Sequence, residues 1–141
     1  MSDVPRPITG RCLCGRVTYS ADAEPVIEAL CHCKDCQRQT GNPFSVFVGV
    51  PRDALTFEGS TLTSFATTGD DHGGETHRHF CSVCGSPMFS FAAVLPDLAF
   101  LKSGSLDDGS WLQPAVEAWT SSAQPWSPHF DGAIQMERGP Q

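Results

Sequence analysis

The chain has 141 residues and a mass of 15.2 kDa, enough for one domain with a single modest core but not for two. Its formal charge of −7 and pI near 5.0 exclude the basic surface that nucleic-acid binding needs, and 40% hydrophobic residues exclude a disordered chain. No run approaches the ~18 apolar residues of a membrane span, and Met1–Ile8 lacks the apolar stretch of a signal peptide, so a cytoplasmic address without membrane association is expected.

In chain order, residues 1–8 read as a tail, residues 9–131 as one domain and residues 132–141 as a second tail. The domain opens on a Cys12-Leu13-Cys14-Gly15 knuckle and a strand over Arg16–Ser20. The triplet Cys31-His32-Cys33-Lys34-Asp35-Cys36 runs into one short predicted helix, Lys34–Gln39. Strands follow at Ser45–Val50, Leu55–Glu58, Leu62–Thr67 and Glu75–Phe80. A second knuckle, Cys81-Ser82-Val83-Cys84-Gly85, precedes strands at Met88–Ala92, Ala99–Ser105 and Ala115–Thr120. The remaining Ser121–Pro128 and Gly132–Gln141 read as loop and tail, and Asp70-Asp71-His72-Gly73-Gly74 as a solvated hairpin turn. Short alternating runs punctuated by Gly and Pro, with no sustained 3.6-residue apolar period, predict an all-β fold with minimal helix.

All seven cysteines lie in those three clusters. An odd number of thiols in a reducing compartment points to metal ligation ahead of disulfides. The two knuckles together supply four sulfurs, Cys12, Cys14, Cys81 and Cys84, which makes a closed zinc site tying the early chain to its middle. A disulfide between the pairs is the rival there. Cys31, Cys33 and Cys36 supply three sulfurs and leave a second zinc one ligand short, the arrangement that catalysis requires. Two Zn2+ per chain are therefore expected, one structural and one catalytic.

Three thiolates donate heavily, so the second centre suits holding a soft sulfur nucleophile better than making hydroxide; thiol plus carbonyl is the implied chemistry. Two rivals stand beside it. A fourth ligand from His32, His77, His79 or His129 would close the site, and a metal-free Cys33-x-x-Cys36 dithiol would make it redox-active.

The clusters Gly10-Arg11-Cys12-Leu13-Cys14-Gly15, Cys31-His32-Cys33-Lys34-Asp35-Cys36-Gln37-Arg38 and Arg78-His79-Phe80-Cys81-Ser82-Val83-Cys84-Gly85, with the late Pro125-Trp126, resemble the glutathione-dependent formaldehyde-activating enzyme family, which includes the centromere protein V domain. The resemblance implies that the all-β fold is a small zinc-stapled β-tent of antiparallel sheets, with a structural zinc on Cys12, Cys14, Cys81 and Cys84 and an exchangeable, catalytic zinc on Cys31, Cys33 and Cys36. It implies carbon–sulfur lyase activity, with a small thiol such as glutathione and an aldehyde, formaldehyde, as partners. A non-catalytic zinc-binding module is the alternative that the centromere branch suggests. Arg38, two residues past Cys36, is the first candidate cation for offsetting the site's negative charge or gripping a substrate carboxylate, with Lys34 second. Water, His32 or Thr40 is the expected proton donor, and Phe44, Trp119 and Trp126 are candidates for an apolar wall.

Overall fold

A computed structural model describes residues 4–69 and 74–139. Strands β1 (Ile8–Arg11), β2 (Thr18–Ala21) and β5 (Leu55–Glu58) form a small antiparallel sheet in the order β1-β2-β5. The larger sheet has the order β11-β10-β3-β4-β9-β8-β7-β6. Its members are β3 (Ile27–Cys31), β4 (Ser45–Pro51), β6 (Leu62–Gly69), β7 (Gly74–Cys81), β8 (Pro87–Ala92), β9 (Leu98–Lys102), β10 (Val116–Ala118) and β11 (Ile134–Gln135). The protein is mostly β, as its punctuated alternation predicts, with one short α-helix, α1 (Lys34–Thr40), among the described residues.

Several expectations need correction. The sheets are not wholly antiparallel, because β10 runs parallel to both β3 and β11. Strands β1 and β3 escape the sequence reading, and β11 lies in the segment read as a tail. The strand expected over Ala99–Ser105 ends at Lys102, where Ser103–Ser105 turns into a 3-10 helix. The hairpin read at Asp70–Gly73 lies outside the described residues; β6 and β7 are paired up to Gly69↔Gly74. Among the described residues no helix is long and apolar enough to cross a membrane.

The main core contains Ile8, Val17, Tyr19, Val48, Val50, Met88, Phe89 and Leu101, and it includes Cys12 and Cys81. Alternate residues of β4 and β9 enter it because successive strand side chains face opposite ways. A smaller cluster holds Cys31, Cys33, Cys36 and Trp119, with Phe47 and Ala118 packed against it. The two sets of cysteines thus sit in different cores.

Gly59 joins the two sheets at a point where no side chain fits. Its φ of +134° lies outside the range that L side chains adopt readily, and an added Cβ would lie 2.5 Å from the Arg16 carbonyl oxygen. Gly59→Ala is expected to destabilise the fold by about 1–3 kcal/mol, read as a lower urea midpoint with unchanged slope.

Candidate metal centres

The first cluster is built by two knuckles of the same design. Gly15 (φ +81°) and Gly85 (φ +78°) turn the chain so that their N–H groups donate to the Cys12 and Cys81 carbonyls at 3.1 and 2.8 Å. The Cys12 and Cys14 sulfurs lie 3.6 Å apart and those of Cys14 and Cys81 3.8 Å apart. Sulfurs ~2.3 Å from a tetrahedral zinc are ~3.8 Å from one another, and a disulfide requires ~2.0 Å, so this spacing fits zinc and excludes a bridge. No disulfide joins any of the seven cysteines, which removes the disulfide alternative.

The surroundings of this cluster favour sulfur anions at Cys81 and Cys84, while burial pushes the Cys12 thiol up. The Ser86 hydroxyl beside Cys84 draws its thiol down to about 5, and Thr61 lies 3.3 Å from Cys81 and lowers it also. The Val17 N–H donates to the Cys12 sulfur at 3.3 Å. Four converging sulfurs with donors at their rims can hold a metal ion, and zinc suits the set.

The second cluster is assembled by the end of β3 and the start of α1. Cys31 closes the strand, and Cys33 caps the helix by accepting the Cys36 N–H at 3.2 Å. Cys36 lies one turn in, on the buried face. Gln37 fixes the loop by donating to the His32 carbonyl at 2.7 Å. The three sulfurs lie within 4.8 Å of one another, and all three residues are buried.

Among the described residues no fourth His, Cys, Asp or Glu ligand atom joins this set. His32, between two of the ligands, turns its ring to Glu117, and His129 does the same. His77 pairs with Glu75 on the exposed face of β7, and His79 stacks on Phe89. None of the four candidate histidines closes the site.

Two cations reach the triplet from the sheet. The Arg78 Nη1 lies 3.8 Å from the Cys36 sulfur while its Nε donates to Thr67 at 3.1 Å. Lys102 donates from Nζ to the Ser45 hydroxyl at 2.7 Å. Arg78 and Lys102 are 4% and 8% exposed, so neither charge is screened by bulk water. Hydrogen bonds from Cys31 and Cys33 hold the Cys36 thiol well below its ordinary range, and Lys102 and Arg78 contribute to this against the cost of burial. Hydrogen bonds with Cys33 and Cys36, and then burial, push Cys31 far upward. A buried triplet that ionises one sulfur readily and resists the others needs a cation among them before all three can act as thiolates, and this fits a bound metal.

Arg38 does not occupy this position. It is exposed on the outer side of α1 and lines a separate hollow of about 320 Å³ with Lys34 and the 70% exposed Trp126. Arg78 and Lys102 stand where Arg38 was expected. The Thr40 hydroxyl is committed to the Cys36 carbonyl at 2.7 Å and His32 to Glu117, so neither is free to donate a proton. Phe44 does line a groove of about 640 Å³, beside Thr40, Ser45 and Lys102, and Trp119 packs on the triplet itself.

A small β fold with two separate cysteine centres defines the class of protein, and comparison with known proteins agrees. The model of the glutathione-dependent formaldehyde-activating enzyme family matches residues 7–122, and the chain belongs to that family. A crystal structure of a Rhodobacter sphaeroides protein, determined as a structural-genomics target, has the same fold: the TM-score is 0.59 at 17% identity, over 91% of this chain and 98% of that one. No curated protein matches the sequence significantly.

Proposed function

We propose that the chain is a zinc-dependent carbon–sulfur lyase that joins a small thiol, glutathione foremost, to an aldehyde such as formaldehyde, and catalyses the reverse cleavage. Cys12, Cys14, Cys81 and Cys84 would hold a structural zinc, and Cys31, Cys33 and Cys36 a catalytic one. Seven cysteines with no disulfide among them suit a reducing cytoplasm.

One observation carries the reading: the triplet has no fourth protein ligand among the described residues, yet two buried cations flank it. Burial pulls the Lys102 ammonium down while the Cys36, Cys31 and Cys33 sulfurs hold it up; with it charged beside Arg78, three thiolates and one zinc dication would leave about one positive charge in excess, so the centre is neutral only with one more anion. An ionised thiol is such an anion. The four-sulfur centre carries the opposite excess and has no such demand. Zinc bound at the triplet would supply stabilisation of a thiolate at its open position.

The chain's own residues then select and orient. Trp119 and Phe47 keep water from the triplet, and Phe44 gives the groove an apolar wall. As the sulfur–carbon bond forms, the carbonyl oxygen gains charge and takes up a proton from solvent. The Lys102 ammonium and the Ser45 hydroxyl line the same groove and are placed to bind that oxygen.

The test is Lys102→Met in protein with both cysteine centres loaded. We expect kcat/KM with glutathione and formaldehyde to fall at least about 100-fold, with metal content unchanged. Lack of any turnover by the loaded wild-type protein would sink the reading.

A further inference from the structure

We propose that His32, Glu117 and His129 form a third cation site, distinct from both cysteine centres, for a divalent metal of zinc's borderline character. The proposal stands apart from the lyase reading and does not depend on it.

The site is made by strand register. β10 lies parallel to β3, with Glu117 opposite Leu30, so the carboxylate lies behind the segment that carries His32. His32 Nε2 is 2.9 Å from Glu117 Oε1, and His129 Nδ1 is 2.7 Å from the same oxygen. The Phe130 N–H donates to the other oxygen at 2.8 Å. All three ligand atoms lie within 4.8 Å of one another.

Two features ask for a cation at this point. The side chains of Glu117 and His32 are 0% exposed, and among the described residues only imidazoles pair with the carboxylate, never lysine or arginine. A carboxylate buried with no cationic lysine or arginine beside it suits a bound metal ion. His32 Nδ1, moreover, has no protein partner.

Two imidazoles and one carboxylate are a donor set that zinc and its first-row neighbours accept with a position left open. Ligand atoms ~2.0–2.1 Å from such an ion are ~3.3 Å apart, so the side chains would spread by a few tenths of an ångström. The Phe130 N–H would then orient the ligating carboxylate, as outer hydrogen bonds commonly do. His129, 45% exposed, gives the ion a route to solvent.

The test uses the full chain, titrated with zinc alone and then with cobalt(II) under reducing conditions. We expect one equivalent beyond those held by the cysteines, adding visible d–d absorption with no further sulfur-to-cobalt charge-transfer band. Glu117→Gln and His129→Ala should each lose that equivalent and leave the charge-transfer bands intact. Should Glu117→Gln fail to fold, the half-exposed His129→Ala decides alone. Saturation with no sulfur-free equivalent, or one that persists in His129→Ala, overturns the proposal and leaves a hydrogen-bonded network only.

Discussion

Cys84→Ser is expected to yield a chain that does not fold, or one whose melting temperature falls by tens of degrees. The reason is the place of the four-sulfur cluster in the main core. Cys12 and Cys81 are 1% and 0% exposed and pack among Ile8, Val17 and Tyr19, so loss of a metal there loosens the junction of both sheets. Structural zinc contributes ~10–16 kcal/mol of apparent binding energy in small domains, and a whole domain is stable by only ~5–15 kcal/mol. Losing even half of the first, about 5–8 kcal/mol, removes a third or more of the second. Melting followed by circular dichroism, with chelator-treated wild type as reference, checks this. An unaltered melting curve would refute a structural role for the cluster.

Cys36→Ser is expected to behave differently: turnover falls at least about 100-fold, equivalent to about 2.7 kcal/mol of transition-state stabilisation, while the protein stays folded. The triplet belongs to the small cluster with Trp119, outside the main core. Its loss strands Arg78 and Lys102 beside fewer negative charges, so a lower melting temperature should accompany the lost activity. Activity, melting and metal content measured on one preparation separate the possibilities. Global unfolding would assign the triplet a structural role, and retained turnover would remove it from the reaction.

The sequence makes the sulfur chemistry legible because the ligands are local. Residues two or three apart must converge whatever the rest of the fold does, so the division into four and three sulfurs is readable from spacing. The charges around them are not. Arg38 is adjacent in the chain to the triplet, but it leaves on the outer face of α1. Arg78 and Lys102 arrive from strands dozens of residues away. The register Phe47↔Lys102 brings one of them in, and nothing in the chain order foretells it. A signal for Arg78 exists in principle: Thr76 and Arg78 face inward on β7, while Glu75 and His77 face outward. Both sets are polar, so hydropathy cannot tell the two faces apart. The same blindness hides Glu117 and its two histidines.

Strands were missed for a related reason. β3 is interrupted by Glu28 and runs straight into the cysteine triplet, so its apolar alternation is short. β11 has two residues, too few for any period to register, and its parallel pairing with β10 depends on contacts remote in sequence. β4 and β9 were legible because several consecutive apolar residues sit on both sides of a buried central strand.

Trp119 is the residue through which the late chain reaches the triplet. It holds a left-handed backbone, φ 58°, which costs a non-glycine residue ~1–2 kcal/mol, and its ring is pinned by the Arg138 guanidinium at 4.7 Å. Gly139 sits so close that a Cβ there would lie 2.5 Å from the indole nitrogen. The family match stops at residue 122, yet these contacts, like that of His129 with Glu117, come from beyond it. The evolutionary signature of this fold therefore ends before its mechanical unit does. An expression fragment trimmed to the recognisable homology would cut away the clasp that keeps the indole seated over the sulfur pocket.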